Sequence, residues 1–184
     1  MGQIKTPVPA KLFVAVMVSA AELFKAAEGR LTELYGPMDF SSPVFSFDDY
    51  SRYYEPEMGA SLLKRFVSFA QPIAQEAIAA IKLQTNALEM ELGQAGPDGL
   101  RRRVNLDPGY LTASKLALAT TKDYAHRIYL GQGIYAETTL YYRRGQGWQP
   151  YPWTYADYRS ALAGEFFALV RESILVHRQV SFSG

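Results

Sequence analysis

No cysteine occurs in this 184-residue chain, which excludes disulfides, thiolate zinc sites and cysteine nucleophiles and fits a reducing cytoplasm. Histidine is nearly as scarce. His126 and His177 are the two present, too few for a polyhistidine metal centre. The metal class left is a carboxylate-rich magnesium or manganese site, with Asp48, Glu57 and Asp107 as candidate ligands. There is no G-x-x-x-x-G-K-[ST] run and hence no P-loop. Gly131-Gln132-Gly133 lacks the third glycine of a dinucleotide fingerprint and opens a strand rather than a helix. A G-x-S-x-G elbow and an H-E-x-x-H pair are also missing. No internal repeat is visible, and no run is long and apolar enough to span a membrane. Net charge is +1, which argues against the large phosphate footprint of a nucleic-acid binder.

What is present is an ordinary globular composition, 48% hydrophobic and 20% charged, unusually rich in tyrosine (13) and phenylalanine (10). Tyrosine suits half-buried positions, ring inward and hydroxyl at water. The charge is unevenly placed. Residues 101–144 carry eight Lys/Arg against Asp107, Asp123 and Glu137, whereas residues 39–57 are acidic. A basic segment facing an acidic one makes a bipolar site or plain self-complementarity.

The chain reads as one domain, residues 1–184, with 1–10 a flexible N-terminus. Lys5 and Lys11 before "LFVAVMVSAA" imitate a signal peptide. Residues 12–18 are instead expected to form a buried strand running into a helix over 20–35, capped by Ser19 and Glu22 and stopped at Gly36-Pro37. Strands are expected at 43–48 and 61–69, with "DYSRYYEPEMG" a loop between them. Pro72 suits the first turn of a helix over 72–92. "GQAGPDG" ends that helix, and "RRRVNLD" (101–107) reads as the next strand. Asp107-Pro108-Gly109 reads as a turn. Residues 110–124 suit helix or strand. A hairpin is expected over 127–143 around Gly131-Gln132-Gly133, and a last helix from about 155, capped by Thr154 with Asp157 at its third position. The fold class expected is α+β: a ferredoxin-like β-α-β-β-α-β core with an added β-hairpin and a C-terminal helix.

The stretches "KLFVAVMVS", "YYEPEMG", "RFVSF", "IKLQTNALE", "RRVNLDPGYLT", "LATTKDYAHRIYLGQGIYAETTLYYR" and "PWTYADYR" together resemble the bacterial family called domain of unknown function 4416, from about Lys11 to Arg171. The resemblance implies a cytoplasmic protein and hands over no catalytic residues. Some members carry the label "GTP-binding protein". This chain has no P-loop to match it, and "TTKD" is not N-K-x-D.

The densest set of chemistry-bearing groups is Thr120, Thr121, Lys122, His126 and Arg127. Hydroxyls, a point cation, an imidazole and a guanidinium are what an anionic oxygen ligand needs. In an extended segment His126 and Arg127 point oppositely, so one faces the ligand and the other pairs with a carboxylate such as Glu137. His126 is the acid/base candidate outside the carboxylates. Asn105 shares a strand face with Asp107 and needs partners if it points inward. Lys82, Asn86 and Glu89 share one helix face, of which the plainer reading is a solvated face with a Lys–Glu contact. His177 suits charge complementation near a helix end. The acidic loop "DDYSRYYEPEMG" is expected to close over the 105–127 segment. The leading functional expectation is a protein that binds, or acts on, a small phosphorylated or nucleotide-like anionic ligand. The alternatives are an RNA-binding module of RRM type and a protein-interaction or assembly domain using the aromatic 148–158 segment.

Overall fold

The computed structural model describes residues 2–96 and 99–181, with side chains to residue 176. Two parts of the expected pattern, residues 97–98 of "GQAGPDG" and the His177 side chain, lie outside the described residues. Over the described residues the fold is mixed α/β: a nine-stranded antiparallel sheet with four helices, the last C-terminal.

Strand β1 (Ala10–Val18) is buried along its whole length, as its uninterrupted apolar run requires. Successive side chains of a strand point to opposite faces. Leu12, Val14, Val16 and Val18 pack under helices α1 (Leu23–Tyr35) and α3 (Ile78–Glu91), while Phe13 and Ala15 pack under α4 (Ala161–Ser181). One strand thus serves two cores, and the sheet is the middle of three layers. Beyond β1 the path runs through β2 (Met38–Ser41), β4 (Leu63–Ile73), β7 (Val104–Leu111), β8 (Lys115–Thr120), β10 (Ile134–Arg143) and β11 (Gly147–Pro150), in the spatial order β11-β10-β8-β7-β1-β4-β2. The short β3 (Phe45–Ser46) pairs with β4, and β9 (Ile128–Gly131) pairs with β10. A single turn, α2 (Glu55–Met58), sits in the acidic segment, and β5 (Gln94–Gly96) pairs with β6 (Gly99–Arg101) apart from the main sheet.

Several local expectations are corrected. The α1 helix starts at Leu23 without a side-chain cap: its N-cap position is Glu22, and Ser19 stands three residues ahead of that, its amide donating to Arg103 O. Gly36 does end that helix, at φ 84°. Pro72 belongs to β4 and pairs with Lys11; α3 follows a 3₁₀ turn at Gln75–Ala77. Thr154 does not cap α4. Its hydroxyl donates to Thr139 O at 2.5 Å and accepts from the Tyr151 amide at 2.8 Å, and Ser160 caps instead, accepting from the Ala163 amide at 3.1 Å. Within residues 110–124, which suit helix or strand, Lys115–Thr120 form β8.

Asp107-Pro108-Gly109 is not a turn but the middle of β7. Pairing between β7 and β8 covers only Gly109–Leu111 against Leu116–Leu118. Pro108, which has no N–H to give a ladder, is the first unpaired position on that side. From there toward residue 104, β7 keeps β1 as its partner and has none in β8.

Candidate functional site

A cavity of about 440 Å³ opens where β7 and β8 cease to pair. Asn105 and Asp107 line it from β7; Leu118, Ala119 and Thr120 line it from β8, followed by Thr121 and Lys122. Helix α3 contributes Lys82, Asn86 and Glu89, and β10 contributes Glu137. The acidic segment supplies Tyr53, Tyr54 and Glu57, and the residues ahead of α4 supply Tyr155, Asp157 and Tyr158. Arg127 lines it too; His126 and Asp48 do not.

The supposed solvated face of α3 therefore packs on the sheet. Lys82 is 5% exposed and donates to Leu106 O at 2.9 Å and to Asp107 at 3.1 Å. Glu89 is likewise buried. It accepts from the Leu106 amide at 2.6 Å and pairs with Arg102 at 2.9 Å. Asn105 finds the partners an inward Asn needs, donating to Asp107 at 2.8 Å and accepting from Arg102. Arg102 also reaches Glu57 at 3.2 Å.

His126 and Arg127 both converge on Glu137 rather than diverging. His126 Nε2 lies 3.0 Å and Arg127 Nε 2.7 Å from the same oxygen. The reason is that residues 121–127 form a turn region, not a strand, so side-chain alternation does not apply. His126 does not line the cavity and stacks on Trp153, ring centroids 5.0 Å apart at 15°. Trp153 in turn stacks on Tyr151, which consumes much of the aromatic 148–158 segment in intramolecular contacts.

Asp48 accepts from the Ser61 and Leu62 amides at 2.7 and 3.2 Å, a loop-tying role. Glu57 pairs with Arg102, and Asp107 with Lys82. Among the described residues no three His, Asp or Glu side chains are grouped to hold a metal ion, so these three carboxylates form no common ligand set.

Lys64, Asp157, Tyr158, Tyr155 and Arg102 were not among the expected site residues. Lys64 and Asp157 form a buried pair at 2.6 Å. The signal for Lys64 was a lysine inside the apolar strand "SLLKRFVSF"; Asp157 was hidden by its resemblance to a helix-cap residue. The Lys64 ammonium sits 5.0, 5.8 and 5.3 Å from the ring centres of Phe47, Phe66 and Tyr158, where cation–π attraction offsets part of its desolvation.

The charges in the cavity push two carboxyls apart. Burial drives Glu89 up to about 7, against the pull of Lys82, Arg102 and the Leu106 amide. For Asp107 burial also opposes ionisation, but the Lys82 and Lys64 ammonium groups and the hydrogen bonds from Asn105 and Lys82 outweigh it and hold the carboxyl at about 2. Burial raises Tyr54 and Tyr155, which stay protonated donors.

These shifts set a pH profile. Between about pH 4.5 and 7 the folded state holds the Glu89 proton and the unfolded chain does not, so stability falls as pH rises through that window. Asp107 acts oppositely: its contribution is present above about pH 3.8 and is lost as pH falls toward 2. Urea denaturation against pH is expected to show a decline of roughly 2 kcal/mol from pH 4.5 to 7. Glu89→Gln is expected to flatten it; an unchanged slope in that variant would assign the decline to another group.

No helix of the described residues is long and apolar enough to cross a membrane. No curated protein and no solved structure matches the chain. A family model described as "Domain of unknown function (DUF4416)" matches residues 8–174, nearly the whole chain and every element that lines the cavity, and the chain belongs to that family.

Proposed function

We propose that the cavity binds a small ligand through an anionic phosphate or carboxylate group. The observation that carries this reading is Lys122. Among the described residues it is the only cavity-lining cation without a carboxylate partner: Lys64 has Asp157, Lys82 has Asp107, Arg102 has Glu57 and Glu89, and Arg127 has Glu137. Its ammonium instead rests on Tyr53, accepted by the hydroxyl at 3.0 Å and 4.3 Å from the ring centre. A cation so held has donor capacity left for a ligand oxygen. Thr120 and Thr121 stand beside it on the same wall.

A second cavity of about 280 Å³ adjoins the first, sharing Tyr53, Tyr54, Lys122 and Tyr155 and adding Tyr50 and Tyr124. Its tyrosine lining suits a planar ring, which favours a nucleotide-like ligand. Glu89, poised near neutrality inside the main cavity, is the lining group suited to take and return a proton, so the reading extends to action on the ligand.

The RNA alternative needs an open sheet face. Here Phe13, Phe66 and Leu111 on that face lie under Phe166, Phe167 and Val170 of α4, which counts against it. The neighbours β7-β1-β4-β2, each pair antiparallel, with α1 and α3 on one face, support reading the core as ferredoxin-like, extended by β8, β10 and β11.

The test is a thermal-shift screen with inorganic phosphate, nucleotides and divalent cations, repeated on Lys122→Met. Lys122 is only partly buried, so the variant is expected to fold normally and to bind the anionic hits about tenfold or more weakly, the worth of one charge-assisted hydrogen bond. Unchanged affinity for every anion that shifts the wild-type protein would reject the site.

A further inference from the structure

We propose that the buried end of this cavity is a subsite for a carbonyl oxygen, received by the Tyr158 hydroxyl with Lys64 beside it. The inference rests on the anion reading above and adds what the other end of the ligand must carry. The Tyr158 side chain is 3% exposed and its hydroxyl has no hydrogen-bond partner among the described residues, yet the residue lines the cavity. A buried hydroxyl left unpaired is costly, and natural proteins seldom keep one without use. Burial, with Asp157 and Asp107 close by, raises its pKa far above the ordinary tyrosine value, so it remains a donor. Lys64 lines the same wall and has three N–H groups, of which one is taken by Asp157.

The ligand group that fits is uncharged. Each buried cation near this end already has its carboxylate: Lys64 with Asp157, Lys82 with Asp107. A second full anion would arrive without an unpaired cation to meet it and would pay its desolvation uncompensated. A carbonyl oxygen needs only donors, and Tyr158 and Lys64 have them to spare. The chemical class is therefore a phosphate or carboxylate joined to a carbonyl-bearing body: an oxo-purine or oxo-pyrimidine nucleotide, or a phosphorylated ketone.

Calorimetric titration of the full chain with two matched pairs of probes tests this. The pairs are inosine monophosphate against purine riboside monophosphate, and dihydroxyacetone phosphate against glycerol phosphate. Within each pair the phosphate is common and the carbonyl is carried by the first member. In at least one pair the carbonyl-bearing member is expected to bind about tenfold tighter. Tyr158→Phe is expected to erase that preference while leaving the other member's affinity alone. The ring keeps its contacts with Phe66 and Phe167, so the melting temperature is expected to stay level or rise. Equal binding of both members to the wild-type protein, with both lost in Lys122→Met, would leave the anion reading standing and overturn the carbonyl subsite. A preference that survives in Tyr158→Phe would overturn it as well. If neither the pairs nor inorganic phosphate bind, the anion reading fails and this inference with it.

Discussion

Asp157→Ala is expected to destabilise the protein by about 3–5 kcal/mol, the usual cost of removing one partner from a buried ion pair. Lys64 and Asp157 are 4% and 2% exposed and their charged atoms lie 2.6 Å apart. Without the carboxylate, the Lys64 ammonium would be left among the rings of Phe47, Phe66 and Tyr158. Those rings attract a cation but carry no negative charge to neutralise it. The pair also ties the segment ahead of α4 to β4, across 93 residues of chain. Its loss is therefore expected to loosen the docking of Tyr155 and Tyr158 on the cavity. The double variant Lys64→Met/Asp157→Leu removes both charges and is expected to recover most of the loss, since an apolar replacement avoids two desolvation penalties. Urea denaturation of the two variants decides the matter. A double variant no more stable than Asp157→Ala would show that packing, not the stranded charge, sets the cost.

Gly109→Ala is expected to cost about 3 kcal/mol or more, at the upper end for an overpacked core. A Cβ at Gly109 would stand 2.5 Å from Ala117 O and 2.5 Å from the Phe13 ring. Neither can give way. The carbonyl belongs to the neighbouring strand, and Phe13 is fully buried with its ring 5.1 Å from that of Phe167. The position is also where β7 and β8 begin to pair, so an added methyl would prise β8 outward and move Leu118, Ala119 and Thr120 on the cavity wall. Weaker binding of any cavity ligand is expected along with the stability loss. An unfolding free energy within about 1 kcal/mol of wild type would mean that the strands separate there freely. Pairing Gly109→Ala with Phe13→Leu is expected to recover only part of the loss, because the Ala117 carbonyl remains.

Local chemistry accounts for the elements that could be read in advance. Gly36 is at C′ of α1 with positive φ, as a glycine ahead of Pro37 suggested. The hairpin turns at Gly131-Gln132-Gly133, all three at positive φ. The run at residues 12–18 is a strand because apolar side chains on both of its faces need cover, and α1, α3 and α4 supply it. The polar set at 120–127 and Asn105 stood out in the sequence as candidates, whereas Lys82 and Asn86 read more plainly as a solvated helix face and Asp107 as a turn residue. Thr120, Thr121, Lys122, Arg127, Lys82, Asn86, Asn105, Asp107, Glu57 and Glu137 line one cavity, and His126 does not.

The amino-acid sequence by itself determined those punctuated elements and the double burial of β1, and it marked the polar stretch at 120–127, because each depends on residues a few positions apart. The tertiary structure alone decided the rest. Pro72 and Pro108 became strand residues because β1 offered partners to both flanking chains, overriding the turn and helix-start chemistry of proline. Gly109 is glycine for the sake of Phe13 and Ala117, neither of them near it in sequence. Lys64 meets Asp157, Arg102 meets Glu57 and Glu89, and Lys122 meets Tyr53 across 69 residues. No period or motif encodes such pairs. They exist because two strands part at Pro108, and the side chains around the gap must neutralise one another in a space that water enters only in part.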